Sequence, residues 1–191
     1  MRVIAGRFKG VTLPAAKTGT RPTTDRTKEA LFSRLDALGL IEDARVLDLF
    51  AGTGALGIEA LSRGAQELVA VESAGPAAAL LTTTLGTLRH QRGWQPDMSA
   101  RAVRRRAERF VADYAGAPFA LILIDPPYAF ATAECEELLA ALALGEATDA
   151  RSTIILERST RSQDPKPPEG WAITDQRHYG ETAVFVIEAL H

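Results

Sequence analysis

Val46-Leu-Asp-Leu-Phe50 runs straight into Ala51-Gly-Thr-Gly-Ala-Leu-Gly57, and the next apolar run, Glu67 to Val71, ends on Glu72. An apolar segment that opens onto closely spaced glycines predicts a buried strand, a tight turn and a helix. The spacing is that of G-x-G-x-x-G with an acidic residue about twenty positions further on. Glycines in such a turn let the backbone approach a ligand closely, and a carboxylate after the second strand can accept both hydroxyls of a ribose. The spacing alone fits a dinucleotide or S-adenosylmethionine. Asp48 separates the two. A carboxylate inside the strand, two residues before the turn, would repel a pyrophosphate but suits the ammonium end of a methionine moiety, through water or the turn amides. S-adenosylmethionine is the expected cofactor.

Outward from this unit, apolar strand candidates alternate with helical stretches. The strands are expected at Arg45 to Phe50, Glu67 to Val71, about Ala100 to Arg104, Phe119 to Ile124 and Thr153 to Leu156. The helices are expected near Ala55 to Arg63, Gly75 to His90, Ala107 to Tyr114 and Ala133 to Leu144. Such alternation predicts an α/β, Rossmann-like fold with a mostly parallel sheet and helices on both faces. Trp171 to Tyr179 and Thr182 to Ala189 flank Gly180-Glu181 and read as an antiparallel hairpin at the sheet edge. The expectation is seven strands with the last one reversed.

The N-terminal end has a different character. Arg2-Val-Ile-Ala and Phe8 to Leu13 read as two short strands around a glycine-containing turn, followed by a Pro/Gly/Thr linker from Pro14 to Thr24. Residues 1–22 are expected to form a β-hairpin extension with its linker, and residues 23–191 the main domain. Thr23, Thr24 and Asp25 offer N-capping groups for a helix to about Leu38, with Leu31, Leu35 and Leu38 on one face. Seven Lys/Arg lie between Met1 and Lys28 against one acid, Asp25, although the whole chain carries a formal charge of only -2. A basic end on a mildly acidic protein suits local phosphate binding, and a solvated surface strand would leave the same pattern.

Asp125-Pro-Pro-Tyr128 follows the apolar run Phe119-Ala-Leu-Ile-Leu-Ile124. It places a carboxylate, a rigid turn and an aromatic ring at a strand's C-terminal end, where open α/β sheets keep their active sites. Consecutive prolines lock φ and supply no N–H, so their carbonyls are free to face a ligand alongside the Asp125 oxygens and the flat face of Tyr128. A planar group bearing N–H donors fits this arrangement, and the exocyclic amino group of a nucleobase is one. A Pro-rich turn closing a buried strand is the structural alternative.

Composition narrows the remaining classes. With 191 residues, 46% of them apolar, the chain can bury one substantial core. A single cysteine, Cys135, excludes an internal disulfide framework, and His90, His178 and His191 stand apart from any metal-ligand spacing, so no metal is expected. No signal-peptide core opens the sequence and no uncharged stretch approaches the roughly 18 residues of a membrane span. A soluble, cytoplasmic protein is expected, with a monomer as the default and no membrane partner.

With both motifs in hand the chain resembles the class I S-adenosylmethionine-dependent methyltransferases, and more closely the RsmD family, which methylates a guanine N2 in small-subunit (16S) ribosomal RNA. The residues that carry the resemblance are Thr20-Arg-Pro-Thr-Thr-Asp-Arg26, Lys28-Glu-Ala-Leu-Phe32, Leu47 to Gly57, Glu59-Ala-Leu-Ser-Arg-Gly-Ala65, Asp125 to Tyr128 and Tyr179-Gly-Glu-Thr182. The resemblance implies cofactor contacts from Arg21, Pro22 and Thr23 at the donor's carboxylate end, from Asp48, Gly52 and Gly54 around its methionine and ribose, and from Glu72. It makes rRNA, within a small ribosomal subunit, the expected partner. Two departures stand out: Arg106-Ala107 replaces the family's usual Asp-Ala pair near the adenine amino group, and Thr84 replaces a frequent Asn. Arginine has no acceptor to offer adenine.

The expected chemistry follows from the acceptor. An amino group on guanine is a poor nucleophile because its lone pair is conjugated into the ring. Asp125 and the Pro126 carbonyl are expected to take its two hydrogens, with Tyr128 stacked on the base and Pro127 shaping the substrate pocket. Arg2, Arg7, Lys9 and Lys17 of the N-terminal arm are the expected RNA contacts. They are favoured over the run Arg101, Arg104, Arg105, Arg106 and Arg109, which straddles a strand and a helix. The rival readings are a DNA amino-methyltransferase, an NAD-dependent dehydrogenase and a non-catalytic RNA-binding ribosome assembly factor. The chain has little room for a DNA target-recognition region, no hydride-transfer residues accompany the glycines, and only Arg106 argues for the assembly factor.

Overall fold

The computed structural model describes residues 1–15 and 24–190. Strands β1 (Arg45–Leu49), β2 (Glu67–Glu72), β3 (Ser99–Arg104), β4 (Leu121–Ile124), β5 (Thr153–Ser159), β6 (Trp171–Tyr179) and β7 (Thr182–Ala189) form one sheet in the order β3-β2-β1-β4-β5-β7-β6. The first five are mutually parallel, and β7 runs antiparallel between β5 and β6. The central strands β1, β2 and β4 are apolar and buried almost without interruption, as strands covered on both faces must be. Edge strand β6 instead exposes Thr174, Gln176, Arg177 and His178.

Helices α1 (Asp25–Ala37), α2 (Ala55–Ser62) and α3 (Gly75–Leu88) cover one face, while α4 (Ala107–Ala112) and α5 (Thr132–Leu144) cover the other. Thr24 caps α1 by accepting from Thr27 N–H at 3.1 Å. The chain leaves β1 toward one face and β4 toward the other, so their adjacent C-terminal ends form the sheet's switch point. Among the described residues no helix is long and apolar enough to cross a membrane.

The N-terminal arm turns back on itself, but the expected pair of strands shrinks to a single bridge between Arg2 and Thr12. Between its two limbs, four backbone donors turn to α2. Ile4 and Ala5 N–H donate to the Glu59 carboxylate at 2.9 and 3.1 Å, Arg7 N–H to the Ser62 carbonyl at 2.7 Å, and Phe8 N–H to Ser62 Oγ at 2.9 Å. The arm is thus laced to α2 as well as to itself, where Val3 N–H donates to the Val11 carbonyl, Gly10 N–H to the Val3 carbonyl and Leu13 N–H to the Met1 carbonyl, each at 2.9 Å. Gly6 makes the approach possible: its φ is +81°, and a Cβ there would fall 1.9 Å from the Ser62 carbonyl oxygen. Val3, Phe8 and Leu13 are buried in the same core as Leu31, Phe32 and Leu35 of α1.

Strand β5 outruns its expected end at Leu156 because the ladder with β7 carries on through Glu157, Arg158 and Ser159, opposite Val184, Ala183 and Thr182. This extension brings charged residues to the switch-point end of the sheet.

Candidate active site

The turn after β1 is held in a strained shape. Phe50 has φ +62°, Gly52 +55° and Gly54 +82°, three left-handed positions within five residues. The three glycines of the motif serve different ends. A Cβ on Gly54 would meet Leu81 Cδ1 at 2.5 Å, and one on Gly57 would meet Leu68 Cδ1 at 2.6 Å and Asp48 Oδ2 at 2.9 Å. Both permit close helix packing. A Cβ on Gly52 would find its nearest neighbour, the Phe50 carbonyl oxygen, at 4.0 Å, so Gly52 presents bare backbone to open space.

That space is a cleft of about 1110 Å³ across the C-terminal ends of β1, β2, β4 and β5. It is large enough for a nucleoside-sized cofactor and a base together. Asp48, Gly52, Glu72, Asp125, Pro126, Pro127 and Tyr128 all border it, whereas Gly54 lies behind its wall. Arg21, Pro22, Thr23 and Lys17 lie outside the described residues.

Glu72 ties the first two elements together: its carboxylate accepts from Gly52 N–H at 2.8 Å and from Ala74 N–H at 2.7 Å. Each oxygen keeps a further lone pair for a hydroxyl. Asp48 is fully buried within β1 and accepts from Gly57 N–H at 2.9 Å. Burial raises its pKa to about 7, assisted by the negative charges of Asp125 and Glu72. A buried carboxylate poised near neutrality, beside Asp125 and Glu72 in the same cleft, suits a cationic ligand group. The bare Gly52 backbone and the oriented Glu72 suit a ribose. The residues present therefore fit S-adenosylmethionine.

Asp48→Asn tests this assignment with a sign fixed by linkage. The native state holds the Asp48 proton up to about pH 7, while the unfolded chain releases it near pH 4, so the carboxylate destabilises the fold increasingly as pH rises through that window. Denaturant melts are expected to show the Asn variant more stable than the wild type by on the order of 2 kcal/mol at pH 8, with the difference vanishing near pH 4. Cofactor affinity is expected to fall in the same variant.

At the end of β4, burial raises Asp125 to about 6. The prolines divide their work: the Pro127 carbonyl accepts from Phe130 N–H at 2.9 Å and closes a turn, while the Pro126 carbonyl accepts no hydrogen bond among the described residues. Tyr128 sits at the turn's tip, 64% exposed, and Phe130 packs edge-on against Phe50 at 5.0 Å between ring centroids.

The arm's cations lie elsewhere. Arg7 hydrogen-bonds through its N–H to Ser62, the last residue of α2, whereas the cleft reaches only the first residues of that helix. An eight-residue helix places the arm's tip roughly 12 Å away along the surface. Arg2, nearer the mouth, approaches Asp25 at 3.9 Å. Arg101, Arg104, Arg105, Arg106 and Arg109 form a separate run along β3 and α4. Arg106 pairs with Glu108 at 3.0 Å and Arg105 with Asp113, as a solvated run would. Thr84 donates to the Leu80 carbonyl at 2.9 Å within α3.

Sequence reasoning missed the far wall. Glu157, Arg158, Ser159, Glu181 and Thr182 border the cleft opposite the glycine turn. The signal was present: charged residues directly after an apolar strand core, the same positional argument that singles out Asp125.

Comparison with known proteins agrees with this geometry along the whole chain. The family model described as Conserved hypothetical protein 95 matches residues 1–188. Ribosomal RNA small subunit methyltransferase D of Escherichia coli K12 is 34% identical over 184 residues, covering 96% of this chain and 87% of that protein. Its namesake in Haemophilus influenzae is 31% identical over 185 residues, covering 94% and 89%. Among solved structures, the putative methyltransferase yhhF from Escherichia coli superposes with a TM-score of 0.82 at 32% identity, covering 99% of this chain and 97% of that one. A hypothetical protein of Thermus thermophilus does so with 0.79 at 30% identity, covering 99% of both. Matched from the arm to the last strand, the chain belongs to the RsmD family of ribosomal RNA small subunit methyltransferases, within the class I enzymes that use S-adenosylmethionine.

Proposed function

We propose that this protein methylates the exocyclic N2 of a guanine in small-subunit ribosomal RNA, acting on the RNA within a small ribosomal subunit. The observation that carries the reading is the single cleft that unites the cofactor-type turn with Asp125, Pro126 and Tyr128. Glu72 and the Gly52 backbone would hold the cofactor's ribose, and Asp48 its amino-acid end. When bound, the cofactor supplies a methyl group already activated by its sulfonium. The chain's task is to free the acceptor's lone pair. The Asp125 carboxylate and the Pro126 carbonyl accept the two amino hydrogens, favouring a pyramidal nitrogen, while the Tyr128 ring stacks on the base and fixes its plane. These acceptors also match the positive charge that develops on nitrogen. Asp125 or water can take the proton released.

The test is transfer of labelled methyl to small subunits from a strain lacking this gene, followed by mapping of the modified nucleoside. N2-methylguanosine at one rRNA site is the expected product. Methyladenine in DNA would favour the DNA enzyme, and no transfer together with no cofactor binding would favour an assembly factor.

The arm makes a separate prediction. Arg7 and Lys9 are exposed cations at a fixed distance from the cleft, placed for phosphates a nucleotide or two from the target. Reversing both to Glu is expected to weaken RNA binding about tenfold or more at moderate salt and to flatten the slope of log affinity against log salt by about two. Unchanged affinity would move the RNA path off the arm.

A further inference from the structure

Arg158 is a buried cation that the proposed chemistry does not use. It is 8% exposed, yet it borders the cleft at the end of β5. Its Nη1 donates to the Phe130 carbonyl at 2.9 Å and its head touches the Cys135 thiol. Its Nε is buried without an acceptor, and among the described residues no carboxylate lies within ion-pair distance of it. A buried guanidinium with only neutral partners is a destabilising arrangement. Such a group persists where a ligand completes its bonds.

We propose that Arg158 is a specificity-determining residue that donates to the O6 carbonyl of the target guanine. The proposal rests on the N2-guanine reading of the same cleft. Asp125 and Pro126 accept from any planar amino group and cannot alone tell guanine from adenine. Guanine carries an acceptor, O6, on the far side of N1 from its amino group, and adenine presents no carbonyl at all. A donor-only fork on the adjoining strand, where Leu156 pairs with Ile124 just before the Asp125 group, supplies the missing discrimination, as arginine does for guanine O6 elsewhere. A backbone phosphate is the competing acceptor, but Arg158 is almost wholly enclosed at the border of the cleft, where a base edge reaches it more readily than a hydrated phosphodiester.

The experiment uses small-subunit particles reconstituted with rRNA bearing either guanosine or the 2-aminopurine riboside at the modified position. 2-Aminopurine keeps the 2-amino group and lacks O6. The wild type is expected to prefer guanine by roughly 10- to 100-fold in kcat/KM. Arg158→Met, an apolar replacement of similar length that removes the unpaired charge, is expected to fold and to shrink that preference to a few-fold, with Arg158→Lys restoring part of it. Equal losses on both substrates would overturn the proposal, leaving Arg158 a brace for the Phe130 loop or a phosphate contact. Failure of the wild type to methylate the guanine would defeat the functional reading itself, whatever the variants do.

Discussion

Asp125→Ala is expected to lower kcat by on the order of 10³-fold while leaving S-adenosylmethionine affinity within a few-fold of the wild type. The magnitude is that of removing one preorganised group aimed at developing charge. The alanine cannot accept an amino hydrogen, so the acceptor nitrogen stays conjugated and its lone pair is not directed. Stability supplies the control. Burial holds the Asp125 pKa at about 6, above its ordinary range, so its carboxylate destabilises the fold at neutral pH, and the variant should melt no lower than the wild type at pH 8. Activity lost without stability is the signature of a group retained for chemistry. The same shift predicts the acid limb of the rate profile: kcat/KM should fall about tenfold per pH unit below about 6, as Asp125 takes up a proton. Asp125→Asn, which accepts through its amide oxygen and does not titrate, should be slower and lack that limb. Joint loss of turnover and cofactor binding would show Asp125 to be a structural or cofactor residue instead.

The sequence revealed the parts of this site that are continuous in the chain. The turn from Asp48 to Gly57, the Asp125 group and the β6–β7 hairpin each combine a strand pattern with glycine or proline chemistry over a few residues, and local sterics settle them. Gly180, with φ +61°, joins two strands whose limits are the expected ones. What escaped depends on distant partners. Glu157 and Arg158 lie beyond the expected end of their strand at Leu156, and only pairing with β7 carries the strand through them to the cleft wall. Glu72 reads as a ribose ligand, but its grip on Gly52 and Ala74 depends on two turns meeting across the sheet. Lys28 counts among the cations of the basic N-terminal end, and nothing in the sequence joins it to Glu59. Both are fully buried, because the arm closes over them.

That closure explains why Glu59→Ala should be the most destabilising single change in the molecule. The Glu59 carboxylate receives Ile4 and Ala5 N–H from the arm and Arg63 Nε at 2.8 Å from the end of its own helix, with Lys28 Nζ at 3.4 Å. Lys28 in turn donates to the Arg2 carbonyl at 2.7 Å, so one carboxylate and one ammonium hold both sides of the arm. Alanine leaves the ammonium buried without its counter-charge and two arm N–H groups without acceptors. Breaking a buried pair from one side costs about 3–5 kcal/mol, and a chain of this size should lose roughly 10 °C in Tm. Adding Lys28→Met to Glu59→Ala removes the stranded charge and should recover at least half of the loss, a coupling of about 2 kcal/mol. A Tm within about 2 °C of wild type for Glu59→Ala alone would mean that the arm is held by Val3, Phe8 and Leu13 rather than by its polar lacing. If the lacing matters, the double variant should bind S-adenosylmethionine normally but RNA weakly, since the arm that carries Arg7 and Lys9 would no longer be fixed at its distance from the cleft.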